Sequence, residues 1–65
     1  MDLTKLARKQ ANSNKERIQA LLSNDMQAAY FALTDMYTNL LRASSQGFTL
    51  DELLTEMNRL EAEES

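Results

Sequence analysis

From Met26 the apolar residues return at intervals of three and four: Met26, Ala29, Leu33, Met36, Leu40. That spacing is the a/d seam of a helix packed against another helix. Tyr30, Tyr37 and Leu41 widen the stripe on one side, as a helix touching more than one neighbour requires. Downstream, Leu50, Leu53, Leu54, Met57 and Leu60 repeat the pattern for about three turns. Upstream, Ile18 and Leu22 fall on the same stripe as Met26, Ala29 and Leu33 when the helix runs straight through. No stretch alternates apolar and polar residues as a half-buried strand would, so the pattern predicts an all-α fold.

Punctuation is sparse. Gly47 is the only glycine and there is no proline. "RASSQG" followed by "FTLDELL" reads as a helix end, a turn and a new helix. Gly47 suits the left-handed C′ position. Thr49 and Glu52 are spaced as a capping box, and Phe48 and Leu53 as a hydrophobic staple. In "LLSNDM", Ser23, Asn24 and Asp25 are all N-cap types with Gln27 following, so a helix could start there. With the stripe unbroken across it and no Gly or Pro, the expectation is one helix over about 14–46, with room for a kink near Asn24. A second helix is expected over about 50–62, folding back antiparallel as a helical hairpin.

Ser13 and Glu16 form another possible capping box, which would make residues 1–12 a basic arm or a short separate helix. The chain then divides, within one small domain over 1–65, into a basic segment (1–12), a long helix (13–47), and a second helix with an acidic tail (48–65).

At 1.5 Å per residue the long helix would reach on the order of 50 Å and the second about 20 Å. Much of the long seam would stay uncovered within one chain, which implies a dimer or higher oligomer assembling as a multi-helix bundle. The residues expected at that interface, or at one with another protein, are Ile18, Leu22, Met26, Tyr30, Leu33, Met36, Tyr37 and Leu40. Phe31 points away from the stripe and is a further candidate as an exposed interface anchor.

Composition agrees with helix. Eleven leucines and four methionines stand against one isoleucine and no valine, and unbranched side chains keep more freedom in a helix than β-branched ones. A chain of 65 residues builds a small core; below about 70–80 residues a core rarely supplies more than about 3–5 kcal/mol without a staple. With no cysteine, disulfides and thiolate metal sites are excluded. A partner is the staple that remains. No apolar run approaches the about 20 residues of a membrane span, and the first residues are too polar for a signal peptide. Membrane partners are therefore not expected, and the expected location is the cytoplasm.

Charge is asymmetric although the net charge is only −3. Residues 1–22 carry five basic and two acidic groups; residues 48–65 carry one basic and six acidic groups. Lys5, Arg8 and Lys15 share a helix face with Asn12, and Lys9 lies at its edge. Such a face is either solvated, paired with the acidic tail of the same or a neighbouring chain, or a phosphate-binding strip for nucleic acid. The overall acidity and the lack of interleaved aromatics weigh against the last.

Chemistry lacks its parts. Without histidine there is no Ser–His pair and no Glu-x-x-His di-iron motif. Ser13 and Lys15 would fall on different faces of a helix. Glu52 and Glu56 share a face, but a carboxylate pair needs a pocket to act as acid and base. A single glycine excludes glycine-rich phosphate loops. No enzymatic activity and no cofactor are expected. The reading is a small helical protein working through protein–protein contact as a regulator, adaptor or inhibitor; the alternative is a small nucleic-acid-binding regulator.

Overall fold

A computed structural model of the chain describes residues 2–64. Among the described residues, three helices account for the regular structure: α1 (Leu3–Leu22), α2 (Met26–Ser45) and α3 (Leu50–Glu64). The all-α fold expected from the pattern is the fold adopted, but the helices are divided differently. Residues 3–12 are neither an arm nor a separate helix. Asp2 caps α1, its carboxylate accepting from the Lys5 amide at 2.8 Å. Ser13 does not cap; it lies on the buried side of a continuous helix.

The expected helix over 14–46 is interrupted at Ser23–Asp25, and the break is a full reversal rather than a kink. Asn24 takes a left-handed conformation, φ 55°, which Asn tolerates better than most residues. The Asp25 amide then reaches back to the Ala20 carbonyl (2.8 Å) and the Asn24 amide to Leu21 (3.1 Å). This is a Schellman termination with Asn in the place usually held by Gly. Asp25 immediately caps α2 by accepting from the Ala28 amide at 3.1 Å. One residue ends a helix and the next begins another.

The second turn follows the sequence expectation. Gly47 has φ 87°, and the Phe48 and Gly47 amides donate to Ala43 and Ser44 carbonyls, both at 3.0 Å. Thr49 and Glu52 exchange their bonds reciprocally, at 3.1 Å and 3.0 Å. Phe48 and Leu53 both join the core.

The main hairpin is α1 with α2, not α2 with α3. α1 also carries α3, whereas α2 and α3 make few contacts with each other. The result is a slab of 35 × 29 × 17 Å with α1 in the middle. Near the Gly47 turn, Leu6, Ala7, Ala43, Leu53 and Leu60 form the core, with Leu3, Leu40, Phe48 and Met57 packed on it. Further along, the buried apolar residues between α1 and α2 are Ala20, Ala29 and Ala32. A connection of only three residues holds these helix ends too close for larger side chains, so alanine fills the contact. Between the two regions lies a polar layer: Asn39 donates to Gln10 at 3.2 Å, both buried, beside buried Ser13. That bond places Ala20 level with Ala29 and Leu6 level with Ala43 in the antiparallel pair. It also explains why the stretch from Ala7 to Arg17 lacks large apolar residues: its inner face meets a close neighbour through small and polar groups.

Candidate interaction surface

The expected seam of α2 straddles two faces. Ala29, Ala32, Asn39 and Ala43 are buried against the rest of the chain, with Met36 and Leu40 partly so. About a third of a turn away, Met26, Tyr30, Leu33, Tyr37 and Leu41 are 54–68 % exposed. Their intervals of four, three, four and four form a second apolar stripe that no described residue covers. Leu22, 84 % exposed, lies just before it across the Asn24 turn. Taking roughly 150–250 Å² per side chain, the range for large aromatic residues, as an upper guide, these six leave on the order of 600–1000 Å² open. Typical monomers expose patches of about 300–600 Å².

The stripe is also free of charge. Asp35 and Arg42, the only charged residues of α2, project from the opposite side of the helix wheel. The hydroxyls at its margin are already satisfied: Thr34 Oγ1 donates to the Tyr30 carbonyl (3.0 Å) and Thr38 Oγ1 to the Thr34 carbonyl (3.1 Å). Removing this margin from water orphans no donor, so the polar groups that a partner must satisfy on the stripe are the two tyrosine hydroxyls, at Tyr30 and Tyr37.

Of the expected interface residues, Ile18, Leu22, Met26, Tyr30, Phe31, Leu33 and Tyr37 are exposed. Met36 and Leu40 are not available in the same way, because both turn partly inward, Leu40 onto the core. Ile18 is separated from the stripe and lines a cleft between α1 and α3. Phe31 leaves the stripe but meets Tyr30 edge-on, ring centres 6.4 Å apart at 65°. Leu41, visible in the sequence only as a widening residue, completes the stripe, and Leu21 is exposed nearby on α1. No periodicity marks Leu21, since it lies off the run of Ile18, Leu22 and Met26.

The basic candidates are all exposed, and the structure divides them. Arg8 and Lys15 line the α1–α3 cleft, about 360 Å³, together with Glu61 and Glu64. Lys15 approaches Glu64 to 3.8 Å. Lys9 borders a second cleft of about 320 Å³ between α1 and α2, beside Glu16, Asp35 and Arg42. Lys5 lines neither cleft.

Glu56 and Glu52, paired on the helix wheel, have separate tasks. Glu52 is occupied by the Thr49 cap. Glu56 accepts from Thr4 Oγ1 of α1 at 2.6 Å and from Arg59 through both carboxylate oxygens, at 2.6 and 2.8 Å. Arg59 continues to Glu63 at 2.6 Å. The Arg59 and Thr4 hydrogen bonds hold the Glu56 carboxyl down at about 2, from the usual 4.5. This cluster clips α3 to α1.

Among the described residues no group of three or more His, Cys, Asp or Glu is placed to hold a metal ion, and no helix is long and apolar enough to cross a membrane. Comparison with protein-family models, with curated proteins and with solved structures found no match.

Proposed function

We propose that this protein is a non-enzymatic interaction module of the cytoplasm, and that it works by laying the outer face of α2 against another polypeptide. The observation that carries this reading is the charge-free stripe Met26–Tyr30–Leu33–Tyr37–Leu41, exposed on a chain whose core is closed by other residues. Apolar faces that carry tyrosine and methionine, as this one does, are what protein interfaces bury at their centres. A regulator, adaptor or inhibitor needs no more than such a face and a rigid support, and the α1–α2 hairpin supplies the support.

The nucleic-acid alternative draws less support. Arg8, Lys9 and Lys15 share their clefts with carboxylates, which oppose a phosphate backbone.

The test is photo-crosslinking in the native host, with a photoreactive phenylalanine analogue replacing Tyr37 and, as a control, Thr55 on the exposed face of α3. Polypeptide adducts are expected from position 37 and not from 55. Equal labelling from both, or none from 37, would overturn the reading.

A further inference from the structure

The outer stripe has a symmetry that a docking face for a foreign helix does not need. Met26 and Leu41 lie equally far from a midpoint between Leu33 and Thr34, and so do Tyr30 and Tyr37. We propose that the stripe is covered by the same stripe of a second copy of this chain, in a two-fold antiparallel pair centred beside Leu33. The proposal rests on the interaction reading above and names its partner.

In that pair Met26 meets Leu41 of the second copy, Tyr30 meets Tyr37 of the second copy, and the two Leu33 side chains meet near the axis. Each contact away from the axis is made twice, as an isologous interface requires. Intervals of three and four on both helices suit the shallow crossing of a four-helix bundle built from two α1–α2 hairpins.

Three further observations favour a second copy. α2 stands at the edge of the slab, with α3 packed mainly on α1, so no described residue covers its outer face. Asp35 and Arg42 stay outside the contact, so no charge is buried on pairing. The areas also agree. The chain exposes 4711 Å², whereas a compact monomer of its 7.4 kDa mass is expected to expose roughly 4200 Å². The five stripe residues of α2 alone leave on the order of 450–750 Å² open, close to the about 800 Å² that each partner contributes to a standard stable interface.

The chain contains no cysteine, so single replacements report geometry directly. In the antiparallel pair the two copies of residue 33 are offset by about one residue, roughly 1.5 Å along the axis, within reach of a disulfide. The two copies of residue 30 are about seven residues apart, roughly 10 Å, and out of reach. Under mild oxidation the Leu33→Cys chain should convert mostly to covalent dimer. Tyr30→Cys alone should remain uncoupled, and a mixture of Tyr30→Cys with Tyr37→Cys should form the mixed dimer. Sedimentation equilibrium of the unmodified protein should give twice the chain mass at tens of micromolar, and Leu33→Asp should return the mass to one chain with its helical circular dichroism kept.

Self-coupling of Tyr30→Cys as fast as Leu33→Cys would overturn the antiparallel register. An unmodified protein of single-chain mass at hundreds of micromolar would overturn the second copy as the occupant. If photo-adducts from position 37 then consist of other polypeptides, the interaction reading survives that failure; if there are none, both fail.

Discussion

The inner and outer faces of α2 are made from the same helix and bury opposite kinds of residue. Inside stand Ala29, Ala32 and Ala43, with the polar Asn39 among them; outside stand Met26, Tyr30, Leu33, Tyr37 and Leu41. Ranking positions by size alone would place the core on the wrong face. The difference follows from distance between helices. α1 returns after a three-residue turn, and near that turn the apolar side chains buried between the two helices are the small ones of Ala20, Ala29 and Ala32. Large residues find no room there and are left where a more distant helix could interlock with them. Small and large apolar residues therefore mark two contacts, one close and intramolecular, one open.

The largest effect that tests this contrast comes from its extremes. Leu53→Ala should cost about 2–5 kcal/mol in urea melts, because Leu53 is 1 % exposed in the core. Leu33→Ala, by contrast, should cost the isolated chain under about 0.5 kcal/mol, measured at concentrations below any association. Comparable losses in dilute solution would mean that the outer stripe is core after all.

The inner face is next. Ala32→Leu adds volume where two helices are in close contact and should destabilise by about 1–3 kcal/mol. The same enlargement on the stripe's margin, Thr34→Leu, should be tolerated. If Ala32→Leu were neutral or stabilising, the close α1–α2 approach would be wrong.

A second pair of regions, the two turns, gives smaller effects. Both end a helix with a left-handed residue, Asn24 at φ 55° and Gly47 at φ 87°. Gly47→Val should cost over about 1 kcal/mol, since a β-branched residue is strained there although open space surrounds the site. Asn24→Gly should be neutral or gain a few tenths of a kcal/mol by easing the left-handed conformation. A large loss from Asn24→Gly, read by thermal melting, would show that the Asn side chain has a task of its own.

The turns also show what a sequence reveals. The Gly47 boundary is legible because three signals coincide on it: the glycine, the capping box of Thr49 and Glu52, and the staple of Phe48 and Leu53. The Asn24 boundary makes the same backbone bonds, but Asn also serves as an N-cap and turn residue, so its left-handed role has no exclusive signature. The unbroken stripe from Ile18 to Leu33 then argued for continuity. That stripe is real on a helix wheel, yet its residues belong to two helices joined by a reversal. Likewise the Gln10–Asn39 bond and the Thr4–Glu56 clip join residues 29 and 52 positions apart, which no local spacing can indicate. Tyr30, Leu33 and Tyr37 lie exposed because α1, rather than a short second helix, is what packs against α2, and it does so on another face.

The smallest expected effect concerns acid. With the folded Glu56 carboxyl held at about 2 against the usual 4.5, its hydrogen bonds support the fold fully above about pH 4.5. That support is lost as pH falls through 4.5 towards 2. Glu56→Gln should remove this part of the acid response, so that its melting temperature falls less between pH 5 and pH 2.5 than that of the unmodified chain. An identical fall in both would mean that Glu56 does not clip α3 to α1.

The division of α2 into a closed inner face and an open outer one is tested most directly by thermal melting across a hundredfold range of concentration, run in parallel on the unmodified chain and on Leu33→Asp. Association that stabilises only the folded chain makes melting depend on concentration. The unmodified protein should melt at a higher temperature as concentration rises. Leu33→Asp should remain helical and cooperative, with a melting temperature equal to that of the dilute unmodified chain and independent of concentration. A concentration-independent melt of the unmodified chain, or a Leu33→Asp chain that has lost its helical fold even when dilute, would contradict the account.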